Sequence, residues 1–402
     1  MSRIEAIGLE ERGLWRDLAG GALLLAVAMG IGRFAFTPIL PDMTRAGVLD
    51  NGAAGLVAAA NFLGYLAGAL STGPVERHLG AGRVLAVAVA LTSALCLAMG
   101  WEGAPLVWWL AIRFLAGVAS GWLLVTISAV LFERLTRRNA GRLAGFAFGG
   151  VGLGMMLSAI YVREAGQGWA AEWTGMGVLA ALLAVPGVAM LGRVAPFPPR
   201  AAVRHGASHG FAGRGFRLLT LAYFLEGLGY IVTGTFMVAV FRASPALMPY
   251  AGHIWLIAGA AAVPSCLFWT LLAARTGFAR ALAVAMLLQA LGIALPVMTG
   301  NGIAAIASAI LFGGTFMGIA TLAVAFGRHL APQDAARAIG MLTASFGVGQ
   351  IIGPLAGAAL EEAGGGFAWP LIAAASVVAL GALLLLPLCE FCYTQTREGG
   401  GL

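Results

Sequence analysis

The chain contains no lysine: all 24 of its basic residues are arginine, in 402 residues of which only 10% are charged. That absence excludes a phosphate-binding Walker loop and any Schiff-base chemistry. Histidine is nearly as scarce; of five copies, His78, His205, His209 and His329 fall in loops and His253 at the end of an apolar run. No Ser/His/Asp set can be drawn from them, so the chain does not read as an enzyme. Of four cysteines, Cys96 and Cys266 lie inside apolar runs as small hydrophobes. The lone C-x-x-C, Cys389 with Cys392, lacks the second pair or the histidines of a metal centre, so no disulfide, metal or cofactor is expected. Strand-like alternation is missing as well.

What fills the chain is apolar sequence. Hydrophobic residues make up 60% and the mean hydropathy is +0.91, too apolar for a soluble globule of this size. Twelve apolar runs stand at 18–40, 52–72, 83–101, 105–132, 142–162 and 174–194, then 217–241, 251–274, 279–299, 302–327, 337–360 and 367–388. Most hold the ~20 residues that a helix needs to cross about 30 Å of hydrocarbon. The sequence therefore predicts an all-α membrane protein with twelve transmembrane helices.

The arginines supply the topology. Nineteen fall in loops on the side of both termini, three (Arg45, Arg163, Arg242) on the opposite side, and two (Arg33, Arg113) inside runs. The positive-inside rule places both termini and the central loop in the cytoplasm. Scattered among short loops, these arginines suit anionic lipid heads and not a nucleic-acid partner. Residues 1–17 mix Arg3, Arg12 and Arg16 with four acids, and the run that follows is too long for a signal core, so it reads as a retained span.

Residues 193–216, rich in Arg, Pro and Gly, divide a six-helix half (1–192) from a second half (217–402) as a cytoplasmic linker. An internal repeat supports the division. Arg142, Gly145, Gly152 and Gly154 answer Arg337, Gly340, Gly347 and Gly349 at an offset near 195, and Gly30 and Gly32 answer Gly227 and Gly229. Two repeated halves of parallel topology imply a solute site between them near the bilayer midplane.

Three motifs resemble those of the major facilitator superfamily. Arg113 opens Arg-Phe-Leu-Ala-Gly-Val-Ala-Ser-Gly in the fourth run, similar to an arginine followed by glycines four and eight residues on. Gly73 and Gly80, with Arg83 following, have the spacing of the loop motif after the second helix, with Arg77 at its acidic position and Glu76 one residue earlier. Gly353 to Gly357 reads Gly-Pro-Leu-Ala-Gly in the eleventh run, whereas the fifth run has no proline. Gly30 to Met43 (GIGRFAFTPILPDM), with Leu225 to Tyr230, resembles the YbfB/YjiJ-like branch of bacterial transporters over essentially the whole chain. The resemblance implies two six-helix halves in the bacterial cytoplasmic (inner) membrane, alternating access, and a proton-coupling or substrate-binding role for Arg113. It also implies gating or conformational roles for Gly73, Gly80, Arg83, Gly353 and Pro354.

Arg33, Arg113 and Glu226 are the charges inside the runs, each costing about 2.5–3.5 kcal/mol on insertion scales. By rise per residue Arg33 and Arg113 share a depth, so their guanidiniums would make a fork for a carboxylate or phosphate, the alternative being structural arginines bonded to carbonyls. Glu226 shares a helical face with Tyr223, Tyr230 and Thr233. Burial favours its neutral form, the property of a proton carrier, whereas a nearby arginine would hold it ionised. Tyr230 is the aromatic expected at the solute, and Asp42 and Asp50 read as solvated helix ends. Asn61 and Gln350 either line the cavity or bridge helices.

The expected activity is secondary transport of a small anionic organic solute, with protons as the coupling ion. Two alternatives stand beside it. One is proton-driven efflux of amphipathic or cationic compounds, with Glu226 binding the cation; the other is a non-transporting membrane sensor or lipid-handling protein.

Overall fold

A helix satisfies all of its backbone groups internally, which hydrocarbon demands of any apolar run that crosses it. The computed structural model, which describes residues 3–166, 168–194, 213–364 and 366–398 and side chains from 11 to 389, is helical throughout, with no strand among the described residues. Twelve spans follow in order. The first six are α1 (Glu11–Arg45), α2 (Asn51–Leu79), α3 (Ala81–Met99), α4 (Leu106–Arg137), α5 (Gly141–Ala165) and α6 (Trp169–Leu191). The second six are α7 (Arg214–Ala243), α8 (Met248–Thr276), α9 (Phe278–Met298), α10 (Gly302–Leu330), α11 (Pro332–Gly364) and α12 (Ala368–Cys389). Of the expected linker, residues 195–212 lie outside the described residues, as do His205 and His209 and the side chain of Cys392.

Local chemistry ends the helices where the apolar runs stop. Asp50 caps α2 by accepting from the Ala53 N–H at 2.6 Å, and Asn301 caps α10 from Ala304 at 2.9 Å. Asp50 is thus a helix cap. Gly80 and Gly277 turn the chain between α2 and α3 and between α8 and α9 with φ of 80° and 85°, a backbone that glycine adopts without strain.

Small residues set how closely the spans cross. A Cβ on Gly117 would collide with the Asn61 carbonyl, and one on Gly64 with the Phe114 carbonyl, so α2 and α4 meet backbone to backbone. Gly30 and Gly154 do the same for α1 and α5, and Gly349 and Gly353 for α11 against Phe224 and Leu228 of α7. Spans α1 to α6 pack chiefly on one another, as do α7 to α12, and the two groups meet along α1–α7, α2–α11 and α5–α8. The seam is closed at the end remote from the termini: Gly55 faces Pro354 and Ala358, and the Thr37 hydroxyl donates to the Gly234 carbonyl. By contrast, α4 makes no principal contact with α10 or α11 among the described residues.

Span α1 is not a continuous α-helix: Pro38 permits a bend in it, as the sequence indicates, but the widening before the proline had no sequence signal. It runs as α-helix to Leu25, widens to a π-helix over Ala26–Ile31, turns, and resumes at Phe36–Arg45. Pro38 has no N–H to give the carbonyl four residues back, and the Thr37 N–H bends to Phe34 instead. Carbonyls released inside a membrane need donors. Arg113 of α4 supplies them, donating from Nη1 to Gly32 and from Nη2 to Arg33, each at 3.0 Å. Its guanidinium also lies over Phe36 and Trp173, 5.2 and 5.7 Å from the ring centroids.

Replacing Arg113 by methionine preserves much of the volume but strands two buried carbonyls, at about 1–3 kcal/mol each. Arg113→Met should lower the unfolding midpoint of the purified protein markedly, and a midpoint equal to wild type would show that the break in α1 does not need this side chain.

Candidate functional site

Arg33 follows directly on the break, so the turn that frees its carbonyl also aims its side chain. The residue is 3% exposed, lying deeper than the apolar run alone indicates because the span continues to Arg45. Its guanidinium carbon stands 4.1 Å from the Tyr65 ring centroid, 4.7 Å from Phe62 and 5.6 Å from Phe34. Aromatic faces attract the cation but satisfy no N–H, and Nε and Nη2 have no hydrogen-bond partner. Arg33 and Arg113 converge as their shared depth predicts, yet not as a two-guanidinium fork. Both terminal nitrogens of Arg113 are occupied by α1 carbonyls and only its Nε lacks a partner, which leaves Arg33 as the one of the two with an open two-nitrogen edge.

Across the seam, α7, α10 and α11 present a wall of nearly parallel rings. Tyr230 lies 5.4 Å from Phe346 at 12° and 6.2 Å from Phe316 at 9°, and Tyr223 stacks on Phe346 at 4.3 Å and 14°. Phe34 meets this wall edge-on, 5.9 Å from Phe316 and 6.2 Å from Trp255. The charge of Arg33 acts on the hydroxyls of Tyr65, Tyr223 and Tyr230, so the two faces share one electrostatic environment. Gln350 donates through Nε2 to the Tyr230 hydroxyl, bridging α11 and α7, while its Oε1 has no partner. Asn61 bridges α2 to α4 by donating to the Arg113 carbonyl at 2.9 Å.

Glu226 is 1% exposed, and its Oε2 has no partner. No arginine pairs with it among the described residues. It looks into the second half instead of across the seam: Gln289 of α9 lies beside it, and the Gln289 Oε1 accepts from Thr315 of α10 at 3.1 Å. Tyr223 and Tyr230, on the same helix, turn to the ring wall and still feel its charge.

The loop motif sits apart from this site. Gly73 lies in ordinary contact with the Arg77 side chain, Gly80 forms the turn, Arg83 is exposed, and Glu76 accepts from Thr126 within the same half at 2.7 Å. Gly353 packs on Leu228 and Ile231, whereas the Pro354 carbonyl faces Gly55 across the seam. Trp122 and Trp269 donate to Ser71 and to the Gly314 carbonyl inside their own halves.

At the remote end Asp42 is no solvated helix terminus, contrary to the sequence reading. With α1 continuing past it, its carboxylate is 14% exposed and accepts from Arg242 of α7 at 2.8 Å and from Arg45 at 2.6 Å. This ion pair crosses the seam beside a cleft of about 600 Å³ lined by Thr44, Arg45, Asn51, Arg242 and Phe367. Glu172, 2% exposed, lies near the same three charges because α6 begins at Trp169, before the apolar run does.

Tyr65, Phe346 and Gln289 were not singled out from sequence. Gln289 had a signal, being an amide inside the ninth run; the rings carry none, since aromatics in membrane helices mostly pack.

Comparison with known proteins agrees with this geometry. The solved structure of the nucleoside transporter NupG superimposes with a TM-score of 0.70 at 18% identity, covering 93% of this chain and 98% of that one. Its D323A mutant gives 0.70 at 16% identity over 92% and 99%. At that identity the likeness is one of fold. In sequence, a stretch of 131 residues is 31% identical to a protein of Escherichia fergusonii described as "Uncharacterized MFS-type transporter YcaD". The matched stretch spans about a third of each protein, 31% of this chain and 32% of the relative. Residues 25–386, nearly all of the twelve-span body, match the family described as "Uncharacterised MFS-type transporter YbfB", and the chain belongs to that family of major facilitator transporters.

Proposed function

We propose that the chain is a secondary active transporter that moves a small anionic organic solute between its two halves by alternating access, coupled to protons through Glu226. One observation carries the anionic reading: Arg33 is buried at the seam with Nε and Nη2 unpartnered. An unmatched buried cation is costly and calls for an anion, and these two nitrogens form the edge that grips a carboxylate or phosphate with two bonds. Arg113 acts through Arg33 by fixing its backbone, and Tyr230 faces the same space. In this reading the termini lie in the cytoplasm of a bacterial inner membrane. The glycines of the loop motif, with Arg83, Gly353 and Pro354, serve the rocking of the halves.

Coupling follows from the setting of Glu226. A lone carboxylate without a cation is unfavourable at that burial, so the closed site holds the protonated acid, and hydration of the cavity in the other state lets the proton leave. Cation efflux through Glu226 is the rival, and the same experiment separates the two. Purified protein should be stabilised by carboxylates or phosphates, and Arg33→Ala should abolish that shift. Stabilisation by organic cations that depends on Glu226 would favour efflux instead.

In proteoliposomes, Glu226→Gln should remove uptake driven by a pH gradient while exchange of solute without a gradient persists. Gradient-driven uptake at the wild-type rate would rule out Glu226 as the carrier.

The Asp42–Arg242 pair should favour closure at the remote end. It is half-buried and contributes about 1 kcal/mol, a roughly fivefold bias. With Cys389 and Cys392 replaced by serine, Thr44→Cys should react about fivefold faster with an impermeant maleimide when Asp42→Asn is added. An unchanged rate would mean that the pair does not hold the halves together.

A further inference from the structure

We propose that the solute is a planar aromatic monocarboxylate, its carboxylate on the Nε–Nη2 edge of Arg33 and its ring against the wall formed by Tyr230, Phe346 and Phe316. The inference rests on the anion-binding reading and adds the class of molecule. Charge fixes the first part. Since the terminal nitrogens of Arg113 are bound to Gly32 and Arg33 and only its Nε lacks a partner, Arg33 alone offers a two-nitrogen edge, which matches one carboxylate and leaves a second negative charge without a two-bond partner. The opposite face fixes the second. Tyr230 stacks on Phe346 and on Phe316 with planes parallel within 12°, an arrangement that a further flat ring can extend by stacking.

The polar edge of the wall adds a preference. Gln350 gives its Nε2 to the Tyr230 hydroxyl and keeps a buried Oε1 with no donor. A hydroxyl or ring N–H on the ligand would satisfy that oxygen, so hydroxybenzoates should exceed benzoate. Glu226, on the same helix as Tyr230, lies beside Gln289 of the second half and not at the Arg33 edge.

The test measures binding to the full-length purified protein by calorimetry, with benzoate, 4-hydroxybenzoate, cyclohexanecarboxylate, tyramine and uridine as probes. The two benzoates should bind at least about tenfold more tightly than cyclohexanecarboxylate, which has the same charge and nearly the same size but no flat π face. Arg33→Gln should remove binding of every carboxylate. Tyr230→Leu should erase the gap between benzoate and cyclohexanecarboxylate, and Tyr230→Phe should keep it, which distinguishes loss of the ring from loss of the fold. Equal, Arg33-dependent binding of benzoate and cyclohexanecarboxylate would overturn the aromatic class and leave the anion reading in place. Binding of tyramine or uridine instead, or of none of the five, would overturn both.

Discussion

The hold of Arg113 on the broken first span is the interaction on which the rest of the site depends. A proline at position 38, a π-helical stretch before it and two released carbonyls would be untenable in hydrocarbon without donors, and one guanidinium provides them. The consequence is geometric. After the widened turn Arg33 lies against Phe62 and Tyr65 of α2, with its polar edge open. Cost and function are linked here, because the arginine that repairs the break commits both of its terminal nitrogens and leaves Arg33 with the open two-nitrogen edge.

The repeat that builds the fold is broken where chemistry is needed. Gly30 and Gly227 serve the same close crossing in their halves, the first against Gly154 and the second against Phe346. Three residues further on, the register sets Arg33 against Tyr230, a cation against a ring. One residue earlier it sets Met29 against Glu226, an apolar side chain against the buried acid. Symmetry thus supplies two similar walls, and its local failure makes one wall charged and the other aromatic. The same holds at the remote end, where Asp42 of the first half meets Arg242 of the second.

Span number, order and approximate limits were legible because hydrocarbon imposes length and apolarity on any helix that crosses it. The ends were less so: α1 extends to Arg45 and α6 starts at Trp169, since helices continue past the hydrocarbon edge with charged residues that find partners. That shift is what took Asp42 out of the solvated class and buried Glu172 near it. Within the site, the charged residues stood out by cost alone, and their shared depth followed from rise per residue. Their division of labour did not. Whether a buried arginine faces a solute or a carbonyl depends on a kink, and the π-helical widening of α1 has no signal in hydropathy. The ring wall was hidden for the opposite reason, as nothing in composition separates a stacked aromatic at a seam from one in a core.

The separation of Arg33 from Glu226 has its own logic in the proposed mechanism. A direct ion pair would cancel both charges, leaving neither an anion site nor a proton site, and would hold the acid ionised. Placing the acid behind the ring wall keeps the two apart, yet α7 carries both Glu226 and Tyr230, and the acid's charge acts on the Tyr230 hydroxyl. Bringing an anion to Arg33 and a proton to Glu226 leaves each buried charge compensated, so the doubly loaded protein can close without an exposed cost. Loading only one site strands a charge. That inequality between singly and doubly loaded states is the thermodynamic content of coupling, and it requires two buried charged positions in one protein that changes state, not contact between them.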